Sequence, residues 1–331
     1  MGTEKFNNCG VILKISVLGC GRWGSFIAWY CQKIGHQTTL WGRENSKSFA
    51  ELVQSRKNQY LALQPDLELS NCLENSINSA DYIVISISSQ ELRSFAKKIA
   101  VLNIAGKTII LCMKGIENTT GKRLSQIIVE ELGSVCKVAI WVGPGHVQDF
   151  VRGIPNCMVI GSEDIAVTKE IVKNLNSDLI RFYYGQDLIG NEVGAASKNV
   201  IGLAAGMLDG LDYESLKGAL MARGAREIAK LIRAMGGNEL TAYGLSHLGD
   251  YQATLFSKHS NNRKFGELFA KGEQFDKLAE GVSTAKALLL LSEKHDIELP
   301  ICGAVNKIIT ENCSAKEVLL NLFLRPVKFE F

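Results

Sequence analysis

The sequence predicts an α/β protein in two parts, an N-terminal doubly wound sheet and an all-α C-terminal domain. Three observations carry that prediction. Short apolar runs of strand length alternate with helix-period segments as far as residue 184, strand alternation then stops and the rest reads almost wholly helical, and the first apolar run opens into a glycine-spaced turn. The bounds that follow are a leader over residues 1–12, a sheet domain over 13–186 and a helical domain over 187–331.

The leader, beginning MGTEKFNNCG, is polar, lacks the apolar stretch of a secretory signal and reads as disordered. Next comes KISVLGCGRWGSFIAWYCQKIG, from Lys14 to Gly35. Ile15 to Leu18 suit a buried strand, Gly19, Gly21 and Gly24 fall in the spacing G-x-G-x-x-G, and Phe26, Ile27, Trp29, Tyr30 and Ile34 recur at helical spacing. Strand, glycine turn and helix arrive in the order that a dinucleotide site of the Rossmann type requires. Gly19 permits the tight turn, Gly21 lets backbone approach a pyrophosphate, Gly24 allows close packing of helix on strand, and N–H groups at the helix start receive the anion.

Gln37 to Trp41 is the second strand, ending at Gly42-Arg43-Glu44. An acid here would bind the ribose hydroxyls of NAD, whereas an arginine would accommodate the 2′-phosphate of NADP. Both are present, so the choice stays open, with Arg43 favouring NADPH over NADH. Residues 44–80 read as polar and irregular with helical fragments. Asp81 to Ile87 is a buried parallel strand, and Ser88-Ser89-Gln90-Glu91 offers a capping box to a helix through Leu92, Phe95 and Ile99. Thr108 to Cys112 and Val138 to Val142 are further strands. Their carboxyl ends, where such a sheet holds ligands, read Met113-Lys114-Gly115 and Gly143-Pro144-Gly145-His146. Lys114, directly after an apolar strand, can set a cation against an anionic substrate. His146 stays open between a proton shuttle and a structural histidine. Met158 to Ile160 and Ile180 to Tyr184 are the last strands.

The long helix from Asp187 to about Leu211 carries EVGAASKNVIGLAAGMLDG. At 3.6 residues per turn Lys198 shares a face with Gly194, Ile201, Gly202 and Ala205, a small and apolar stripe that would desolvate its amine. Desolvation lowers a lysine pKa towards neutrality, which suits a proton donor to a carbonyl or an acceptor from an alcohol. Further on, Asp250 follows a glycine in SHLGDY, and Arg263 beside Asn262 can bind a phosphate through charge-assisted hydrogen bonds. Glu280-Gly281 precedes an amphipathic helix over Ser283 to Lys294, and Ser314-x-x-Glu317 caps the last helix. Asp212, Glu214, Lys217 and the run Arg223 to Arg233 read as solvated helix faces.

Composition narrows the partners. A net charge of +3 over 331 residues, with interleaved ionisable groups, argues against nucleic acid, and no apolar run approaches the length of a membrane span. Nine cysteines with no C-x-x-C pair and no metal spacing read as reduced thiols of a cytoplasmic protein that holds no metal.

Several of these motifs occur together, in order, in one known family. GCGRWG, Ser89-Gln90 to Arg93, Lys114-Gly115-Ile116-Glu117 with Thr120-Gly121, Gly143-Pro144, ASKNVIGLAAGMLDG, Leu248-Gly249-Asp250, Asn262-Arg263-Lys264-Phe265-Gly266 and Glu280-Gly281 resemble the bacterial NAD(P)-dependent sn-glycerol-3-phosphate dehydrogenases over residues 13–312. The resemblance implies reversible reduction of dihydroxyacetone phosphate to sn-glycerol 3-phosphate with NADPH or NADH, for membrane lipid synthesis. Position by position, it implies catalytic roles for Lys198, Lys114 and Asp250. It implies cofactor contacts at Gly19, Gly21, Arg22, Trp23, Gly24, Arg43, Lys114, Val147, Asn261 and Glu280. Substrate contacts would fall at Lys114, Gly143, Gly145, Lys198, Asp250, Ser260, Asn262 and Arg263. The partner implied is a small phosphorylated substrate, with a homodimer left open.

The chain departs from the family pattern in three places. Asn261 stands where the family usually has arginine, Gly145-His146-Val147-Gln148-Asp149 replaces the usual continuation after Gly-Pro, and His247 replaces a small residue. One lost charge-assisted contact is worth about 1.5–3 kcal/mol, roughly ten- to hundredfold in affinity. A related reductase of another small 2-keto or phosphorylated compound would use the same fold and Lys198. A non-catalytic NAD(P) sensor would keep the glycine loop but need not keep Lys198, Lys114 and Asp250 together.

Overall fold

The computed structural model describes residues 11–327, 329 and 330. Of the expected leader, residues 1–10 lie outside the described residues, and Val11 and Ile12 are exposed. Two compact units divide the chain. One takes the residues up to Met113 together with Leu124–Leu188, the other Lys114–Arg123 together with Ile189 onwards. A single cut after residue 186 therefore misses one exchange: the loop 114–123 leaves the sheet unit and joins the helical one. Its Ile116 is fully buried in the helical unit's core.

Among the described residues the sheet unit contains eight strands: β1 (Lys14–Leu18), β2 (Gln37–Trp41), β3 (Glu68–Ser70), β4 (Tyr82–Ile85), β5 (Thr108–Leu111), β6 (Lys137–Val142), β7 (Asn156–Gly161) and β8 (Ile180–Gly185). Their spatial order is 3-2-1-4-5-6-7-8, parallel throughout except for the antiparallel β6–β7 pair. Order reverses at β1, flanked by β2 and β4, which is where a doubly wound sheet opens a crevice beyond its strand ends. Seven helices accompany the strands: α1 (Arg22–Lys33), α2 (Lys47–Ser55), α3 (Leu73–Asn78), α4 (Leu92–Ile99), α5 (Leu124–Leu132), α6 (Val147–Val151) and α7 (Ile165–Leu175). Strands β4 and β5 are buried at every position, as a sheet covered on both faces demands. The aromatic residues of α1 pack into this core. Phe26 stacks on Phe150 at 4.8 Å, and Tyr30 meets Trp141 edge-on.

The helical unit comprises α8 (Leu188–Gly210), α9 (Lys217–Ala234), α10 (Asn261–Ala270), α11 (Glu280–Lys294), α12 (Pro300–Glu311) and α13 (Ala315–Asn321). Helix α8 is the axis of its core, with Val193, Ala196, Val200, Ile201 and Leu203 all buried. Interlocking glycines let α10 lie against it at backbone distance. A Cβ on Gly206 would run into the Arg263 carbonyl, and one on Gly266 into the carbonyl of Leu203.

Four sequence expectations need correction. Ser88 forms no side-chain cap; a short 3₁₀ turn, Ser89–Glu91, leads into α4 instead. Residues 44–80 hold two helices and the edge strand β3, whose three residues are too few to show alternation. Helix α11 begins at Glu280, three residues early, because Gly281 sits inside it at close approach to the Asn199 carbonyl. The supposedly solvated face of α9 contains two buried charges. Lys217 pairs with the buried carboxylate of Asp209, and Glu227 accepts the backbone N–H groups of Ile301 and Cys302 at 2.8 and 2.9 Å. Glu227 thereby caps the start of α12 from another helix, and burial pushes its carboxyl up to about 6.

Candidate active site

The glycine turn of the sheet unit fits a dinucleotide on its own geometry. Gly19 adopts φ +118°, and a Cβ there would run into the Ser86 carbonyl; a Cβ on Gly24 would strike the carbonyl of Gly19. Gly21 differs. It is exposed, a Cβ on it would meet no protein atom within 4 Å, and as N-cap of α1 it brings no side chain to the first turn. The first turn also contains no acidic residue, so the positive end of the helix is presented to an anion. Arg22 lies over the Tyr60 ring at 5.6 Å, and Trp23 packs on Phe26. Arg43 is exposed just past the end of β2, with Glu44 exposed beside it.

The turn after β6 is in the same unit. Gly143 adopts φ +127°, a Cβ on Gly145 would run into the Phe150 ring, and Val147 starts α6 fully buried. His146 precedes that helix without capping it through its side chain.

The helical unit gathers the charged residues. Asp250, 1 % exposed at its side chain, receives the Nζ of Lys114 at 2.6 Å and the Nζ of Lys198 at 2.7 Å. Lys198 also donates to the Thr254 hydroxyl at 2.7 Å, and that hydroxyl donates to the Asp250 carbonyl at 2.8 Å. The amine on the stripe of small residues is thus met by a buried carboxylate and a hydroxyl. One carboxylate lies between two lysine side chains, in a setting where charge is poorly screened. Asn199 fixes the Lys114 loop by donating to the Lys114 carbonyl at 2.9 Å. The loop is further tied by a buried ion pair between Arg123 and Glu192.

Around the start of α10 the proposed contact residues meet one another. Ser260 caps the helix by accepting the Arg263 N–H. Asn262 donates to the Asn199 side chain at 3.0 Å and accepts the Gly281 N–H at 2.9 Å, joining α10 to α8 and α11. Arg263 pairs with Asp209 at 2.6 Å and approaches Glu267 at 3.7 Å, so its guanidinium is held by carboxylates of the chain. Asn261 donates to the Leu278 carbonyl at 3.2 Å, and Glu280 starts α11 half-buried.

Sequence reasoning missed Thr254, Asn199 and Arg123. Thr254 stands four residues after Asp250 and Asn199 follows Lys198 directly, spacings that could have drawn attention to both. Nothing in the pattern marks Arg123, whose partner Glu192 is 69 residues away.

A chain with a glycine-turned, mostly parallel sheet and a helical unit that holds paired lysines on a buried aspartate has the parts of a nicotinamide-nucleotide-dependent dehydrogenase. The comparisons give the family. The N-terminal model of NAD-dependent glycerol-3-phosphate dehydrogenase matches residues 14–168 and the C-terminal model residues 187–320. An enzyme of Fusobacterium nucleatum named glycerol-3-phosphate dehydrogenase (NAD(P)+) is 35% identical over 332 residues, covering 96% of this chain and 99% of its own. One of Clostridium botulinum with the same name is 36% identical over 329 residues, with the same coverage. The crystal structure of glycerol-3-phosphate dehydrogenase from Coxiella burnetii superposes with a TM-score of 0.88 at 26% identity, covering 95% of this chain and 99% of that one. The chain belongs to the NAD-dependent glycerol-3-phosphate dehydrogenase family.

Proposed function

We propose that the protein catalyses NAD(P)H-dependent, reversible reduction of dihydroxyacetone phosphate to sn-glycerol 3-phosphate. The observation that carries this reading is the Lys114–Asp250–Lys198 cluster in a chain of this family. Bound nicotinamide supplies the hydride for the carbonyl carbon. The chain's own residues do the rest. Lys198 donates a proton to the carbonyl oxygen as negative charge develops there, and recovers it from the alcohol in reverse. Asp250 and Thr254 fix the direction of that ammonium, and Lys114 adds a second positive charge that favours an anionic substrate. Gly143 and Gly145 would contribute backbone at the substrate, and Ser260, Asn262 and Arg263, with the start of α10, the phosphate end.

Gly19, Gly21, Arg22, Trp23 and Gly24 would hold the pyrophosphate half of the cofactor, with Val147, Lys114, Asn261 and Glu280 as further contacts. Exposed Arg43 favours the 2′-phosphate of NADPH. No helix among the described residues is long and apolar enough to cross a membrane. We place the enzyme in the cytoplasm, supplying glycerophospholipid synthesis, with a homodimer left open. The test is loss of the reduced-nicotinamide absorbance with purified protein and dihydroxyacetone phosphate, run with NADPH and with NADH, beside unphosphorylated dihydroxyacetone. Rapid oxidation with the phosphorylated compound alone supports the reading, and a faster rate with NADPH supports the role of Arg43. No oxidation with either compound refutes it.

A further inference from the structure

His247, which stands where the family usually has a small residue, is completely buried beside the reactive cluster. Its Nδ1 lies 2.8 Å from the Gly194 carbonyl and its Nε2 2.7 Å from the Tyr251 hydroxyl. A carbonyl can only accept, so Nδ1 carries the hydrogen, and Nε2 accepts from the tyrosine. Burial pushes the imidazole down to about 4, so this neutral tautomer persists over ordinary pH. Protonation would set a third cation beside Lys198 and remove the acceptor that Tyr251 uses.

The two backbones that the imidazole joins are those of the reacting pair. Gly194 precedes Lys198 by four residues, so in α8 its carbonyl also accepts the Lys198 backbone N–H. His247 precedes Asp250 by three residues, and its own carbonyl accepts the Asp250 N–H at 3.0 Å. The approach is close: a Cβ on Gly194 would lie 3.0 Å from the His247 Cβ. Resting on the assignment of Lys198 and Asp250 above, we infer that His247 is a positioning residue that locks the Asp250 segment to the Lys198 turn of α8 through the Gly194 carbonyl. Completely buried, it offers no surface to a ligand. Its effect is on how firmly, and in what direction, Asp250 holds the Lys198 ammonium.

Two variants separate that lock from mere filling of space. In His247→Asn the side-chain amide takes the place of Nδ1 and keeps the bond to Gly194, while in His247→Gln the amide reaches towards Tyr251 and gives it up. Tyr251→Phe removes the other hydrogen bond alone. His247→Gln should lose roughly ten- to a hundredfold in kcat, the scale of a small misplacement of a reacting group, with the KM for NADPH unchanged. The alkaline limb of its kcat profile should move to lower pH, because an ammonium less firmly held by a carboxylate gives up its proton more readily. His247→Asn and Tyr251→Phe should stay near wild type. A second readout needs no turnover: labelling of Lys198 by acetic anhydride, followed by peptide mass spectrometry, should run faster in His247→Gln than in His247→Asn. Equal kcat, profile and labelling in the two variants overturn the lock. Wild-type protein that leaves dihydroxyacetone phosphate untouched refutes the proposed function instead, and the labelling comparison still decides the role of His247.

Discussion

Lys198 acquires its chemistry from three neighbours contributed by different parts of the chain: a carboxylate at 2.7 Å, a hydroxyl at 2.7 Å, and a second ammonium sharing the same aspartate. If its task is to deliver a proton, charge alone will not replace it. Lys198→Ala should lower kcat by about 10²–10⁴-fold, the usual worth of a general acid, with NADPH affinity retained in a fluorescence titration. Lys198→Arg should fail comparably in the pH-rate profile, since guanidinium keeps its charge but does not give up a proton. Near-normal turnover in either variant removes Lys198 from the proton step. If the start of α10 holds the substrate phosphate as proposed, a cation restored at residue 261, beside the proposed contacts Ser260, Asn262 and Arg263, tests that end of the site. Arg263 is already held by Asp209 and Glu267, so on that reading the phosphate would meet less cationic help than the family pattern supplies. Asn261→Arg should lower the KM for dihydroxyacetone phosphate by roughly ten- to hundredfold, the worth of one charge-assisted contact, and leave unphosphorylated dihydroxyacetone unaffected. A gain shared by both compounds would place residue 261 away from the phosphate.

At the scale of elements, α9 shows what a charged sequence can conceal. Its run from Arg223 to Arg233 looks like a solvated face, yet Glu227 is buried and caps the start of α12. Its carboxyl rises from 4.5 to about 6, so the folded state binds this proton more tightly than the unfolded chain does. The contribution of Glu227 is therefore most favourable below pH 4.5 and is lost as pH rises towards 6. The shift corresponds to about 2 kcal/mol. Urea unfolding of wild type and Glu227→Gln across that interval checks the sign: the stability of wild type relative to the variant should fall by about that amount with rising pH, and a rise would refute it. The same helix marks the limit of reading by pattern. Strands β1 and β4 are legible as short continuous apolar runs buried on both faces, and helix α1 because burial of one face imposes a period of 3.6 on local sequence. The small-residue face of α8 is legible by the same period, and the glycine spacing because close backbone approach at Gly19 and Gly24 leaves no room for a Cβ. Glu227 is not, because its partners are backbone N–H groups 74 and 75 residues away, and long-range capping leaves no local period. Ser88 errs in the opposite direction: its sequence offers a cap, and the chain makes a 3₁₀ turn instead.

For the whole molecule, the decisive feature is the discontinuity of the helical unit. Sequence composition changes once, near residue 187, and suggests that everything after it forms a self-sufficient domain. The structure gives that unit a further segment, Lys114–Arg123, threaded out from between β5 and α5 of the sheet unit. The segment brings the unit three things: the second lysine on Asp250, the fully buried Ile116, and the guanidinium that pairs with Glu192. Glu192 is 5 % exposed at its side chain, so its carboxylate cannot simply turn to water when Arg123 is missing. Breaking a buried pair by removing one partner costs about 3–5 kcal/mol, and emptying the site of a buried isoleucine about 2–5 kcal/mol. Against a typical stability of roughly 5–15 kcal/mol, losing both is enough to unfold a domain. Residues 189–331 expressed alone should therefore lack a cooperative urea transition by circular dichroism. Supplying residues 114–123 through a short glycine-serine linker at its N-terminus should restore one, and Arg123→Ala in that fusion should shift its midpoint to lower urea. A cooperative, stable 189–331 fragment would show instead that the exchanged segment serves only to carry Lys114 to Asp250.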